Sequence, residues 1–543
     1  MQGLMMNRPL SIIDILTYAA EAHPAEGIVS ARTEGDIHRE TYPEALARVS
    51  QLAHALAALG IGEGDRVATL AWNGYRHFEL YYAISGIGAV CHTINPRLAA
   101  EQMIYIVNHA EDRVLFTDIT FVPILEALRP HLPEALRIVV MTDRAHMPDS
   151  PLDLLCYEEL LDGQPTDYPW PELDENTASA LCYTSGTTGN PKGALYSHRS
   201  TVLHSFTVAV SLLQKLGLGK RILPVVPLFH VNAWGLPYMA PMTGATLVMP
   251  GAHLDGKSLY DLIEAERVEF AWGVPSVWMG LLAEIKARGR NPEALTDMLV
   301  GGAAPPRSMI AAFEERGICV NHAWGMTEMS PIGTHGTQPP AVEALPLEQK
   351  LDIKQRAGRR AFGVELKITD PEGTRMPHDG EATGELFVRG NTIASAYFND
   401  AAASAKSFDA EGWFATGDVA SISPEGYLTI RDRTKDLIKS GGEWISSIDL
   451  ENAVVSHPAV AACAAVAVPH PKWGERPVLI AVASGEARPT LDEICDHVKE
   501  HFAKWQMPDD VVWVDALPMT ATGKISKLTL RGTLGDYVHP DLR

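Results

Sequence analysis

The hydrophobic positions near the start of the chain alternate between the period of a helix and that of a buried strand. Thr41 and Glu44 have the spacing of a capping box, and the apolar residues after them recur at helical intervals. Gly60 then stands where a helix commonly ends. Short apolar runs follow at 66–70 and 89–94. This alternation of helix and strand predicts an α/β fold.

The same alternation continues along the chain and is interrupted once. Further elements are predicted as strands at 114–117, 138–141 and 178–183, and as a helix at 77–87. The runs at 384–390 and 426–431 are instead short strands bounded by turn residues, which indicates a smaller β-rich subdomain. A strand at 460–468 and a helix at 490–502 follow. We therefore expect a large layered α/β domain and a small α+β C-terminal domain.

The length, charge and cysteine content limit the class of protein. A chain of 543 residues exceeds what one hydrophobic core usually covers, so two or more domains are expected. The formal net charge of −22 opposes binding to nucleic acid or to an anionic membrane. The six cysteines form no C-x-x-C pair, so neither a disulfide framework nor a zinc site is predicted. With no apolar run of about 18 residues and no signal-peptide pattern, we expect a cytoplasmic protein without a transmembrane segment.

The segment from Tyr183 to Gly193 has the composition of a loop that binds a polyphosphate. It contains four Ser or Thr hydroxyls, three glycines and Lys192. Glycines allow backbone N–H groups to approach phosphate oxygens, hydroxyls add donors, and the lysine adds a charge. A solvated turn is the alternative interpretation. A P-loop is excluded because Pro191 precedes the lysine and a glycine follows it, where that motif needs Gly before and Ser or Thr after.

Four further motifs follow the loop in a characteristic order. They are the sequences WGMTE at 324–328, TGD at 416–418, DRTKD at 432–436 and TGK at 522–524. Together with the loop, they resemble the signature motifs of the adenylate-forming (ANL) superfamily of acyl-CoA synthetases, peptide-synthetase adenylation domains and luciferases. This resemblance implies an N-terminal AMP- and acyl-binding domain over 1–434 and a mobile C-terminal lid domain over 435–543. Lys435 matches the hinge between them.

The resemblance also implies a role for individual residues. The catalytic residues would be Lys524, Thr184, Thr327, Glu328 and His230, and Mg²⁺ would be held by Glu328 and Thr184. The residues that contact ATP would be Thr184, Ser185, Gly186, Thr187, Thr188, Gly189, Lys192, Gly302, Ala303, Ala304, Trp324, Gly325, Thr327, Asp418, Arg433 and Lys435. The residues that approach coenzyme A would be Lys439, Gly441, Gly442 and Trp444.

Trp324 is the clearest departure from the family pattern. Most relatives carry Tyr at this position, and an aromatic face there would stack on adenine. Tryptophan preserves the stacking surface and changes the depth of the pocket. Packing in the core is the alternative role for such a side chain.

The acyl substrate would contact residues from three separate segments. The resemblance and the apolar side chains nominate His230, Trp234, Gly301, Met326 and Met329. The tryptophans and methionines could equally belong to the core. No acidic residue occupies the place where peptide synthetases usually fix an amino group, which disfavours an amino acid as substrate.

The predicted reaction is the ATP-dependent conversion of a carboxylic acid to acyl-AMP and pyrophosphate, followed by transfer of the acyl group to CoA. The motifs look closest to bacterial medium- and long-chain fatty-acyl-CoA synthetases, and a homodimer is a further expectation. A short acid of the methylthiopropionate type or a branched acid is the alternative substrate. Loading of a carrier protein, a luciferase-like activity and a non-catalytic nucleotide-binding remnant are the other candidates.

Overall fold

The structure, a computed structural model, describes residues 1, 3–184, 190–212, 215–441, 443–500, 502–519, 525–534, 537 and 539–540. Several predicted site residues lie outside the described residues: Ser185, Gly186, Thr187, Thr188, Gly189, Gly442 and Lys524. Among the residues that are described, we find no helix with the length and hydropathy of a membrane span.

Strands occur along the whole chain. They are β1 (Gly27–Ala31), β2 (Ile37–Thr41), β3 (Arg66–Leu70), β4 (Val90–Thr93), β5 (Val114–Thr117), β6 (Arg137–Val140), β7 (Leu154–Cys156), β8 (Ala178–Thr184), β9 (Lys192–Ser197), β10 (Arg221–Pro224), β11 (Thr246–Met249), β12 (Phe270–Gly273), β13 (Asp297–Val300), β14 (Cys319–His322), β15 (Thr334–His335), β16 (Arg359–Arg360), β17 (Val364–Thr369), β18 (Gly384–Gly390), β19 (Phe414–Ile422), β20 (Leu428–Arg433), β21 (Ile438–Ser440), β22 (Glu443–Ile445), β23 (Val460–His470), β24 (Gly474–Ala483) and β25 (Asp510–Trp513).

Helices alternate with these strands. They are α1 (Ile12–Ala22), α2 (Tyr42–Ala58), α3 (Tyr75–Gly86), α4 (Ala100–Ala110), α5 (Val122–Leu128), α6 (Tyr157–Leu161), α7 (His198–Ser211), α8 (Leu236–Thr243), α9 (Gly256–Ala265), α10 (Pro275–Arg288), α11 (Arg307–Glu314), α12 (Pro340–Glu343), α13 (Leu347–Lys354), α14 (Ala401–Ser407), α15 (Ser447–Val455), α16 (Leu491–Val498) and α17 (Lys527–Thr533).

Two large sheets form the N-terminal part. One has the strand order β7-β6-β5-β3-β4-β8-β9, and the other has the order β14-β13-β12-β10-β11-β1-β2. All neighbouring strands in them are parallel except the edge pairs β8–β9 and β1–β2. The largest buried cluster combines residues of both sheets with residues of α1, α2, α3 and α8, so these helices join the sheets into one core.

Strands β15 and β16 form a two-stranded antiparallel sheet, and two larger sheets that are mainly antiparallel follow. Strands β17 to β20 form a sheet in chain order, which confirms the predicted β-rich segment. In the C-terminal part the order is β22-β21-β24-β23, and β25 pairs in parallel with β24. Its core contains the apolar faces of α15 and α16.

The helix α2 shows why local patterns predicted much of this fold. The Thr41 hydroxyl accepts a hydrogen bond from the Glu44 backbone N–H, and the Glu44 carboxylate accepts one from the Thr41 N–H at 2.7 Å. The capping box therefore forms as the sequence indicates. The helix predicted at 490–502 is shorter, because the chain leaves the helix after Val498 and Phe502 packs against the same core from beyond its end.

Candidate functional site

The predicted site lies where parallel strands of the second sheet end. Strand β13 leads into Gly301 and the exposed residues 302–304, and β14 leads into Trp324 and the residues after it. Strand β10 leads into the segment that contains His230. The carboxyl ends of parallel strands share one edge of a sheet, which is where α/β proteins bind ligands. The fold thus gathers motifs that are far apart in the sequence.

The hairpin β8–β9 positions the ends of the polyphosphate loop. Thr184 is the last residue of β8 and pairs in register with Lys192, the first residue of β9. Antiparallel pairing therefore holds Thr184 and Lys192 opposite each other at the ends of the two strands. Among the described residues Lys192 makes no ion pair, so its charge is available to an anionic ligand.

Glu328 is a buried carboxylate that accepts a hydrogen bond from a tyrosine. Only 5% of the residue is exposed, and its Oε1 accepts a hydrogen bond from the Tyr397 hydroxyl at 2.6 Å. The backbone N–H of Glu328 itself also hydrogen-bonds to the carboxylate. Burial raises the pKa of the Glu328 carboxyl, while the Tyr397 hydroxyl and the charges of Arg433 and Lys192 oppose that shift. A buried carboxylate in this state gains from a bound cation.

The segment 394–398 connects Glu328 to the phosphate hairpin. The Ala394 N–H donates to the Glu328 carbonyl at 2.7 Å, and the Phe398 N–H donates to the Gly193 carbonyl at 2.8 Å. Between these two points, the Tyr397 ring lies 4.8 Å from the Lys192 ammonium nitrogen. This segment carries none of the predicted site residues, and Tyr397 stands 69 positions from Glu328. No local pattern could have indicated the contact.

Thr327 is anchored through its backbone. The hydroxyl of Tyr196, on β9, donates to the Thr327 carbonyl at 2.5 Å. Strand β8 also packs against the short 3-10 helix at Thr327–Met329. The predicted α-phosphate and metal residues are therefore held against the hairpin that carries Thr184 and Lys192.

The predicted adenine and ribose residues are brought together. The Trp324 indole Nε1 donates to Asp418 Oδ2 at 2.9 Å, and Arg433 Nε lies 2.7 Å from Asp418 Oδ1. Asp418 on β19 and Arg433 on β20 are register partners, so the antiparallel sheet sets this pair. Asp418 is only 3% exposed, which strengthens its interaction with both donors. The ribose and adenine roles themselves remain predictions.

Exchange of Asp418 for asparagine is expected to weaken ATP binding selectively. Asp418→Asn removes the charge that Arg433 pairs with and one acceptor suited to ribose hydroxyls, so the KM for ATP should rise about 10- to 100-fold. The KM for the acid should change far less. Steady-state kinetics with each substrate varied would measure both. Asp352→Asn removes a surface Asp–Arg pair of similar length with Arg307 and should leave both values unchanged; equal effects in the two variants would contradict the prediction.

Gly325 has a backbone role in the WGMTE motif. A Cβ at this position would lie 1.9 Å from the Pro331 carbonyl oxygen. The Met326 N–H donates to that same carbonyl at 3.0 Å, so the chain folds back on itself directly after Trp324. Only glycine allows this close approach. The residue therefore sets the position of the motif, and contact with ATP stays a prediction.

The acyl segment contains a left-handed turn. Val231, Asn232, Ala233 and Trp234 have φ values between 47° and 56°, and Gly235 has 86°. Non-glycine residues in this region cost on the order of 1–2 kcal/mol each. These four residues are buried, so packing maintains the conformation. His230 is half-buried and precedes the turn.

Trp234 and Gly301, both predicted to contact the acid, are in contact with each other. A Cβ at Gly301 would lie 2.8 Å from Cη2 of the Trp234 indole, and one at Gly302 would lie 3.8 Å from its Cζ2. The indole therefore covers the turn that follows β13. Trp234 is 7% exposed, so its ring fills the space beside Gly301.

The other large apolar side chains belong to cores. Met329 is fully buried in the core of the sheet β17–β20, and Met326 packs against the same core. Trp272 and Trp278 are fully buried as well, each in a different core cluster of the N-terminal part. The contact of Met326 and Met329 with the acid is a prediction that still needs a test.

The predicted hinge and CoA segment lie beyond β20. Lys435 is in the turn between β20 and β21, and its carbonyl accepts from Arg531 on the last helix at 3.2 Å. Gly441 connects β21 to β22 with a φ of 63°. The Lys439 ammonium group lies 4.5 Å from the Trp444 ring, which is 45% exposed. This pair is accessible to a ligand.

The residues present fit Mg²⁺ bound together with ATP. In the described part of the chain, no cluster of three or more His, Cys, Asp or Glu side chains could enclose a metal ion. Mg²⁺ usually takes one or two carboxylates and completes its shell with phosphates and water. Glu328 offers a carboxylate, and Thr184 offers a hydroxyl at the end of β8, the strand that packs against the 3-10 helix carrying Glu328. Such a donor set suits an ion that arrives with a polyphosphate.

Comparison with known proteins places this geometry in a family. Residues 16–398 match the model of AMP-binding enzymes, and residues 449–524 match that of the AMP-binding enzyme C-terminal domain. These matches confirm the predicted large N-terminal and small C-terminal domains, while the boundary after Thr434 stays a prediction.

Relatives cover almost the entire chain. A 3-methylmercaptopropionyl-CoA ligase of Ruegeria lacuscaerulensis is 49% identical, with 99% of each chain covered. A medium-chain-fatty-acid–CoA ligase of Ectopseudomonas oleovorans is 48% identical, with 99% of this chain and 98% of that one covered. The crystal structure of the anthranilate CoA ligase AuaEII with anthranoyl-AMP has a TM-score of 0.86 at 26% identity and covers 99% and 100% of the two chains. The chain therefore belongs to the AMP-binding enzyme family and, within it, to the acyl-CoA ligases.

Proposed function

We propose that this ligase activates a medium- or long-chain fatty acid with Mg²⁺·ATP and transfers the acyl group to CoA. The carboxylate attacks the α-phosphorus of ATP, which gives acyl-AMP and releases pyrophosphate; the CoA thiol then displaces AMP. The observation that carries the proposal is the linked set of Lys192, Tyr397 and Glu328 beside the Trp324–Asp418–Arg433 set. An ammonium group that can bind phosphate and a carboxylate that can bind a metal thus lie next to side chains suited to ribose and adenine.

The chemistry needs no nucleophile from the protein. The residues act by positioning the reactants and by stabilising charge, as in other phosphoryl-type transfers. Lys192 would bind the departing pyrophosphate, and Asp418 would accept the ribose hydroxyls. Mg²⁺, when bound, would neutralise phosphate oxygens, with Glu328 and Thr184 holding it. His230 would lie beside the carboxylate of the acid.

A short acid is the second candidate substrate. The Ruegeria relative is named for a short thioether acid and is as similar to this chain as the Ectopseudomonas relative is. The Trp234 indole also packs against Gly301 and Gly302, and this bulk beside a residue predicted to contact the acid supports a short substrate as the second candidate. The expected homodimer and cytoplasmic location stay predictions.

One assay separates these candidates. The protein is incubated with Mg²⁺, ATP, CoA and one acid at a time, from 3-methylthiopropionate and branched short acids to long straight-chain acids. Pyrophosphate, AMP and acyl-CoA are followed together. We expect equal amounts of the three products and the highest kcat/KM with a medium- or long-chain acid. A maximum at 3-methylthiopropionate would select the second candidate, and AMP release without any acyl-CoA would contradict the ligase function.

A further inference from the structure

Tyr397 touches two of the groups on which the proposed function rests. Its hydroxyl donates to Glu328 Oε1 at 2.6 Å, and the Lys192 ammonium nitrogen lies 4.8 Å from the centre of its ring. The residue is only 9% exposed. One side chain therefore connects the carboxylate suited to the metal with the ammonium group suited to the polyphosphate.

The backbone on both sides of Tyr397 is attached to the same two elements. The Ala394 N–H donates to the Glu328 carbonyl at 2.7 Å, and the Phe398 N–H donates to the Gly193 carbonyl at 2.8 Å. The Tyr397 side chain contacts Glu328, which is one of the two attachment points, and Lys192, which is next to the other, Gly193. The segment thus sets the distance between the hairpin end and Glu328, and Tyr397 sets the orientation of the two charged groups.

The two halves of the tyrosine side chain have separate effects. The hydroxyl engages one carboxylate oxygen of Glu328, so the other oxygen faces away from it with a defined orientation. The electron-rich face of the ring attracts the lysine ammonium group and restricts its position without neutralising its charge. Ordering of both groups before ATP binds lowers the entropy that binding must overcome.

We propose that Tyr397 is a positioning residue for adenylation, which orients Glu328 toward the Mg²⁺ of bound Mg²⁺·ATP and Lys192 toward its phosphates. The proposal rests on the proposed function, since it assumes that Glu328 contacts the metal. It adds to the site a residue that lies outside the five motifs described in the sequence analysis. Substitutions of Tyr397 should separate the effect of its hydroxyl on Glu328 from the effect of its ring on Lys192.

Equilibrium binding of a non-hydrolysable ATP analogue tests the proposal without catalysis. The α,β-methylene analogue of ATP is titrated into the full-length protein by calorimetry, with Mg²⁺ and with a chelator. Tyr397→Phe keeps the ring and removes the hydroxyl, so affinity without Mg²⁺ should stay at the wild-type value. Affinity with Mg²⁺ should fall about 10-fold, because a charge-assisted hydrogen bond is lost. Tyr397→Leu also removes the ring and should weaken binding under both conditions.

Kinetics and a matched tyrosine complete the test. In Tyr397→Phe the Mg²⁺ concentration for half-maximal adenylation should rise, while thioester formation from supplied acyl-AMP should be unchanged. Tyr427→Phe removes another hydroxyl that is bound to a side chain, that of Gln338 at 2.7 Å, and should behave as wild type. Thermal unfolding of each variant shows whether it is folded.

The possible results separate the proposed role of Tyr397 from the proposed function on which it rests. If wild-type protein binds the analogue equally with and without Mg²⁺, the metal role in the proposed function is wrong. If wild type responds to Mg²⁺ and folded Tyr397→Phe responds to the same extent, only the role of Tyr397 is overturned. A loss in Tyr397→Phe that is equal with Mg²⁺ and with chelator would mean a general structural role and would also overturn it.

Discussion

A Lys524→Ala variant is expected to lose the adenylation half-reaction while it retains thioester formation. The family resemblance implies that Lys524 would reach the substrate carboxylate and the α-phosphate, where negative charge develops as pyrophosphate leaves. Removal of one group that stabilises a transition-state charge commonly lowers kcat about 100- to 1,000-fold. The first half-reaction is measured by acid-dependent exchange of pyrophosphate into ATP. The second is measured by CoA-dependent release of AMP from supplied acyl-AMP.

A second lysine of the C-terminal part provides the control. Lys499 is 60% exposed at the end of α16 and pairs only with Asp496 in the described structure. Lys499→Ala should leave both half-reactions unchanged. If Lys524→Ala lowered the two half-reactions by the same factor, Lys524 would act in folding or CoA binding, and its assigned role would be wrong.

Glu328→Gln should give the second largest effect. Glutamine has nearly the same shape and can still accept a hydrogen bond from Tyr397, but it has no charge to hold Mg²⁺. A loss of about 3 kcal/mol of stabilisation, or about 100-fold in adenylation rate, is expected at saturating ATP. The Mg²⁺ dependence of pyrophosphate exchange measures it. Higher Mg²⁺ should restore part of the rate.

The fold should tolerate this change better than the activity does. Burial raises the pKa of the Glu328 carboxyl in the folded protein. At a pH above the ordinary pKa of glutamate, the ionised carboxylate therefore does not increase the free energy of unfolding. Glu328→Gln should therefore unfold at or above the wild-type temperature when nucleotide and metal are absent. Glu365→Gln, which removes a surface partner of Arg389, is the matched control for activity. Full adenylation in Glu328→Gln at low Mg²⁺ would contradict the metal role.

Local sequence patterns predicted the positions of individual strands and helices. They carried much less information about which of these elements contact each other. The strands at 66–70, 114–117 and 384–390 have the predicted bounds, because short apolar runs that end at turn residues encode strands directly. The Trp324–Asp418 hydrogen bond connects two predicted site residues, but nothing in either motif indicated that contact. Spacing along the chain carries no information on which side chains meet across 94 residues.

The functional assignments follow the same division. Motifs predicted Glu328, Lys192 and Asp418 as site residues because the binding of metal, phosphate and ribose needs particular residue types in particular local sequences. The sequence did not indicate the contacts of Tyr397 with Glu328 and Lys192, because a single tyrosine outside these motifs is typical of a core residue. The sequence did not indicate the left-handed turn at residues 231–235, because its first four residues are not glycines. Only the surrounding packing stabilises such a conformation in them.

The sequence by itself determined that this chain is a two-part α/β protein with the motifs of an adenylate-forming enzyme, because periodicity and motif composition are local properties. The tertiary structure decided how those motifs combine. It placed Tyr397 between Glu328 and Lys192, put the Trp234 indole on Gly301, and assigned Met329 to a core. Such contacts join residues that are distant in the chain, and they exist only after strands of different sheets have been packed together.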